Sequence, residues 1–148
     1  YEIHERLVGS EMCIRDRVKS GDFENGGKIS DDIREKLREL KFDAEIIRRV
    51  SLALYQGEIN MIIHANGGNI TVEITDDCIT MNLTDIGPGI ENVEAAMQKG
   101  YSTADENLRS MGFGEGMGFT NMKKYTDEMT VHSKVGEGTQ IIMKVYIR

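Results

Sequence analysis

Asp85-Ile86-Gly87-Pro88-Gly89-Ile90 stands directly after an alternating apolar run. A strand ending there presents a carboxylate that can accept from an exocyclic amine, while Gly87 and Gly89, with no side chains, let a flat ring approach the backbone. An ordinary turn after a strand would read the same way. Gly112-Phe113-Gly114-Glu115-Gly116-Met117-Gly118 places glycine at every second position before a helical pattern begins. Successive backbone N–H groups leading into a helix N-terminus form an anion site suited to phosphates, although a flexible linker can carry similar glycines. No Gly-Lys-Ser/Thr follows, so the stretch is not a Walker loop.

Two further groups stand apart from these. Gln56, Asn60 and His64 recur every four residues, so on a helix they share a face and can point at one ligand. Asn60 supplies a neutral oxygen appropriate to Mg²⁺, which binds nucleotide phosphates through few protein ligands and several waters. His64 falls at the expected helix end, where a capping or dipole role is the plainer reading. Gly136-Glu137-Gly138-Thr139 fits a hairpin turn, and Thr139 can add its hydroxyl to a ring nitrogen.

The elements that must position these residues follow from periodicity. Ser30 is placed to cap a helix, with Asp31 and Asp32 in its first turn, Ile33, Leu37 and Leu40 at helical spacing, and an end near Lys41. A longer helix is predicted over 43–64, with Ile46, Ile47, Val50, Ala53, Leu54, Met61 and Ala65 as its apolar stripe and Asn66-Gly67-Gly68 as its stop. Ile70-Val72-Ile74 and Ile79-Met81-Leu83 alternate around Asp76-Asp77 and read as an antiparallel hairpin. A short helix over 91–99, a loop over 100–118, a helix from near Phe119, and strands over 129–133 and 139–146 complete the order. That order predicts an α+β fold, a two-layer sandwich with helices on one face of a mostly antiparallel sheet.

Composition bounds the rest. The chain has 148 residues, 39% of them hydrophobic, which suits one domain with one core. A formal charge of −7 opposes broad attraction to nucleic acid or anionic lipid, and no apolar run is long enough for a membrane-spanning helix. A cytoplasmic location is therefore expected. Cys13 and Cys78 lie far apart without C-x-x-C spacing, so neither a disulfide nor a structural metal is expected. Residues 1–17, ending Gly9-Ser10-Glu11-Met12-Cys13-Ile14-Arg15-Asp16-Arg17, resemble a translated sequencing-adaptor read-through. The expectation is that this segment is non-native, that the native start is missing, and that residues 18–148 are the single functional domain.

Taken together, a helical Asn, a strand followed by Asp-x-Gly-x-Gly, a glycine-alternating loop and Gly-x-Gly-Thr resemble the GHKL superfamily of ATP-binding domains (the Bergerat fold) over roughly residue 43 to the end. Asn60-Met61-Ile62-Ile63-His64, Gly100-Tyr101-Ser102-Thr103-Ala104 and the run 112–118 are most similar to the small bacterial anti-sigma regulatory factor serine/threonine-protein kinases. The resemblance implies ATP as ligand, with Mg²⁺ held by Asn60. It implies that adenine is read by Asp85 with Gly87, Gly89 and Thr139, and that the phosphates are covered by a lid including Ser102, Thr103, Gly112, Gly114, Gly116 and Gly118. It also implies a STAS-domain antagonist (anti-anti-sigma protein), a sigma factor, or both as partners, and often a homodimer. The chain departs from the family at the general base, a glutamate four residues before the asparagine, where Gln56 stands. An amide accepts no proton usefully near neutral pH. Glu58 is near in sequence but about 200° around the helix from Asn60. Two functions are thus carried forward: a kinase working by partner switching, and a catalytically weak or inactive module whose ATP sets the conformation that captures a protein.

Overall fold

In the computed structural model, which describes residues 4–8, 11–18, 26–64, 67–87 and 118–147, the alternating runs form one six-stranded sheet. The strands are β1 (His4–Val8), β2 (Glu11–Val18), β3 (Gly68–Ile74), β4 (Cys78–Asp85), β5 (Glu128–Lys134) and β6 (Gly138–Tyr146). Their order across the sheet is β1-β2-β3-β4-β6-β5, and every neighbouring pair is antiparallel. The helices are α1 (Lys28–Glu39), α2 (Ala44–His64) and α3 (Gly118–Tyr125).

Period-two burial decides which face is covered. Ile70, Val72 and Ile74 of β3, Ile79, Met81 and Leu83 of β4, and Ile141, Met143 and Val145 of β6 all point inward and are buried. The alternate residues Thr71, Asn82 and Ile142 sit side by side in register on the other face and are half-buried. There Asn82 Oδ1 accepts from Thr84 Oγ1 at 3.2 Å and from Gln140 Nε2 at 3.3 Å, so a polar ladder finishes that surface. All three described helices lie on the apolar side, which makes the two-layer α+β sandwich expected from the pattern.

Central in the helical layer is α2, with Val50, Ala53, Leu54, Met61 and Ile62 buried. Its neighbour α1 lays Ile29 and Ile33 over Ile14, Ile70 and Val72, and α3 packs on its other side with Met122 fully buried. Arg49 ties α2 to the lower end of the sandwich. Its Nε donates to the Tyr125 carbonyl at 3.0 Å and its guanidinium meets Asp127 at 3.0 Å, while the second Asp127 oxygen accepts from the Tyr146 N–H at 2.7 Å.

Two expectations are corrected here. Ser30 does not cap α1; the N-cap is Gly27, no side chain of the cap residue bonds the helix, and Ser30 Oγ instead donates back to the Gly27 carbonyl at 2.9 Å. Nor does the first strand of the hairpin open the sheet, because β1 and β2 precede it. Along β2, Met12, Ile14, Asp16 and Val18 alternate with Cys13, Arg15 and Arg17, and Ile14 is only 3% exposed. β2 pairs with β3 from Met12–Ile74 to Val18–Gly68. The unpaired edge of β3 would gain ladder bonds from any extended segment with apolar alternation, whatever its origin. The helix expected over 91–99 and the loop over 100–118 lie outside the described residues, except that Gly118 opens α3.

Candidate functional site

At the upper end of the sandwich, Asp85 is the last residue of β4. Its Oδ1 accepts the Thr139 N–H at 3.0 Å, so the carboxylate is anchored by the neighbouring strand β6. Burial pushes the Asp85 carboxyl above its ordinary value, and the backbone N–H groups of Thr139 and Gly87 work against that shift. The result is a half-buried acceptor whose orientation is fixed before any ligand arrives.

Close backbone approach makes that arrangement possible. Gly138 has φ +130°, and a Cβ there would overlap the Asp85 carbonyl oxygen. A side chain would therefore be strained and would also part β4 from β6. Beside Asp85 on β3 is its partner Gly68, where a Cβ would sit 2.8 Å from Asp85 Cα. Beyond the strand, Ile86 N–H donates to the Gly67 carbonyl at 3.2 Å and the Ile86 side chain is 69% exposed. Thr139 is buried, and its hydroxyl pairs with Ser133 Oγ at 2.8 Å. A hydroxyl has one donor and two acceptor sites, so this pairing does not exhaust it.

Over this strand end lies the turn of α2 that carries Asn60. A Cβ on Gly57 would overlap Leu83 Cδ2, and one on Gly68 would meet Met61 Cε at 2.5 Å. The helix therefore crosses β3 and β4 at the level of Leu83 to Asp85, which puts residues 57–61 at the same end as the carboxylate. Gln56 and Asn60 are half-buried and lie on one side of α2. The side chain of His64 lies outside the described residues, as do Gly89, Ser102, Thr103, Gly112, Gly114 and Gly116. Gly87 is buried next to Asp85.

Glu58 has a place that sequence reasoning missed. It is 2% exposed, with Oε2 accepting the N–H groups of Gly27 at 3.1 Å and Ile29 at 3.2 Å and Oε1 accepting that of Ser30 at 3.0 Å. Burial raises its carboxyl pKa, and the three N–H donors pull against the rise. The signal available in the sequence was a charged residue between Gly57 and Ile59, off the face shared by Gln56 and Asn60. Engaged with α1, Glu58 does not face Asn60. Among the described residues, no cluster of three His, Cys, Asp or Glu could hold a metal by itself. A metal that completes its shell with phosphates and water needs no such cluster, and the neutral Asn60 oxygen is a suitable single ligand.

A family profile described as "Histidine kinase-, DNA gyrase B-, and HSP90-like ATPase" matches residues 43–148. The chain belongs to this ATPase family. Among its relatives is the anti-sigma F factor of Clostridium acetobutylicum, 40% identical over 111 residues that cover 72% of this chain and 74% of that one. The anti-sigma F factor of Caldanaerobacter subterraneus subsp. tengcongensis is 41% identical over 108 residues, covering 70% and 72%. That of Clostridium perfringens is 32% identical over 127 residues, covering 82% and 87%. Among solved structures, the mycobacterial sensor histidine kinase MprB superposes with a TM-score of 0.52 at 16% identity, covering 89% of this chain and 97% of that one, which shows a shared fold. The matched region of this ATPase-family chain takes in α2, Asp85 and Thr139, that is, the whole of the described site. No described helix is long and apolar enough to cross a membrane.

Proposed function

We propose that the chain is an ATP-binding regulatory domain of the anti-sigma type, working in the cytoplasm on a sigma factor, on a STAS-type antagonist of that factor, or on both, as a homodimer. The observation that carries this reading is the Asp85 carboxylate, held by Thr139 at a glycine-lined strand end in a chain of this ATPase family. The residues fit adenine. A half-buried, pre-oriented carboxylate accepts the exocyclic amine, Gly87 and Gly89 leave room for the ring plane, and Thr139 offers a second polar contact. Asn60 supplies the oxygen for Mg²⁺. Backbone N–H groups of Gly112, Gly114, Gly116 and Gly118, with the hydroxyls of Ser102 and Thr103, serve the phosphates.

When bound, ATP supplies a transferable phosphoryl group. For a kinase, a serine or threonine hydroxyl of the antagonist forms the new O–P bond, ADP leaves, and the hydroxyl proton must pass to a base. Gln56 can orient that hydroxyl but cannot take its proton. Glu58 is engaged by three N–H groups of α1 and is turned away. Those two facts favour a second reading, in which phosphate transfer is slow and ATP acts chiefly by setting the conformation that captures the partner. Phosphotransfer to a STAS-type substrate by wild type and Gln56→Glu separates the two. Rapid transfer by wild type supports the kinase; slow transfer restored by the glutamate supports the switch. Absence of Mg-ATP binding by the wild type removes both.

A further inference from the structure

We propose that Glu58, although it does not touch the nucleotide, is a positioning residue for the metal side of the site: its carboxylate locks the first turn of α1 onto α2 and so fixes the roll of α2 that aims Asn60. The inference rests on the reading of Asn60 as the Mg²⁺ ligand. An α-helix leaves its first N–H groups without intrahelical acceptors, and a side chain of the cap residue normally supplies one. The cap of α1 is Gly27, which has no side chain, and Ser30 Oγ points back to the Gly27 carbonyl. A carboxylate some thirty residues away takes over the role, holding the N–H groups of Gly27, Ile29 and Ser30 at 3.0–3.2 Å. The same side of α2 makes a second contact one turn earlier, where the Tyr55 ring lies so close to Gly27 that a Cβ there would be 2.9 Å from Cε1.

At about 100° per residue, three directions around α2 are thereby assigned. Gly57 and Met61 face β4 and β3, Tyr55 and Glu58 face the start of α1, and Gln56 and Asn60 occupy the remaining side. Arg49, eleven residues before Asn60 on the same side, and the packing of α3 hold α2 lower down. Glu58 adds a directional anchor roughly a quarter turn from the sheet-facing line at the very turn that carries Asn60, so it limits the local roll there. The leverage is large. A roll of about 10° carries an atom roughly 6 Å from the helix axis by about 1 Å. Mg²⁺ demands near-ideal octahedral geometry and tolerates little of that displacement. Asp85 and Thr139 belong to the sheet, so a roll of α2 leaves the adenine contacts in place.

That division gives a readout a merely structural role would not produce. ATP affinity is measured calorimetrically with and without Mg²⁺ for the full chain and for Glu58→Gln and Glu58→Ala. Exchange of the Ile29 and Ser30 amides is followed in parallel. Glutamine keeps one acceptor but turns an NH₂ group toward N–H donors, so it weakens the clamp at nearly constant volume. The expected result is faster amide exchange, a gain in affinity from Mg²⁺ reduced by about tenfold or more, and Mg²⁺-free affinity unchanged within about twofold. Faster exchange with an undiminished Mg²⁺ effect overturns the proposal. So does an equal fall in affinity with and without Mg²⁺, which marks general destabilisation. A wild-type protein that binds ATP with no Mg²⁺ effect removes the assigned role of Asn60, and this inference with it, while leaving Asp85 as the adenine acceptor.

Discussion

Asp85→Asn tests the centre of the nucleotide reading, and its size can be worked from the bonds around the carboxylate. In the wild type Oδ1 is committed to the Thr139 N–H at 3.0 Å and the Gly87 N–H also donates to the carboxylate, which leaves its remaining lone pairs for the ligand. The asparagine carbonyl can keep the Thr139 bond, so the fold should survive, but the amide NH₂ then meets the exocyclic amine donor to donor. Loss of a hydrogen bond to a charged group costs roughly 1.5–3 kcal/mol, which is about 10- to 150-fold in affinity. Adenine is common to ATP and ADP, so both should weaken alike, and GTP should bind poorly to the wild type. The pH dependence supplies a second signature. Burial raises the Asp85 carboxyl above 3.8, and it is the ionised form that the amine favours. Adenine affinity should therefore be fully present above the raised value and be lost as pH falls through it, whereas the asparagine variant should lack that component. Calorimetry with Mg²⁺-free ADP at several pH values measures both effects. Equal affinity of wild type and variant at neutral pH would refute the assignment of Asp85.

Asn60→Ala should abolish the increase in ATP affinity produced by Mg²⁺ while leaving Mg²⁺-free ADP binding within about twofold, as calorimetry with each ligand would show. Gln56→Glu should raise phosphotransfer or phosphate release by about 10²–10⁴-fold with little change in ATP affinity; an unchanged rate in a rapid wild-type enzyme would mean that another group supplies the base. Gly57→Ala should cost about 1–3 kcal/mol in denaturant unfolding, because its Cβ overlaps Leu83 Cδ2 in a packed interior. Deleting residues 1–17 removes β1, nearly all of β2 and the buried Ile14 side chain, so stability should fall by more than the roughly 1.5–3 kcal/mol that Ile14 alone contributes, yet nucleotide affinity should stay within about twofold if the segment is foreign to the function. A tenfold loss of affinity would show instead that it belongs to the working domain.

Periodicity alone determined much of this protein. The apolar stripe of α2, the alternation of β3 and β4 around Asp76-Asp77, and the final strand pair were readable because burying one face imposes a 3.6- or 2-residue repeat on the sequence. The stop of α1 near Lys41 was readable in the same way. Asp85 and Thr139 stand out in the sequence because an acceptor and a hydroxyl lie beside glycines at strand ends, and Asn60 because it shares a helix face with Gln56. Only the tertiary structure decided what Glu58 does. Its partners are backbone N–H groups of α1, 28 to 31 residues away, and backbone donors carry no side-chain identity for a sequence pattern to record. The same holds for the anchoring of Asp85 by the Thr139 N–H and for the close approach of Gly57 to Leu83. A glycine reads as a turn or a break until the fold brings another chain segment against it. β2 stayed hidden for a related reason: Asp16 interrupts its apolar alternation, and pairing with the edge of β3 is what makes it a strand.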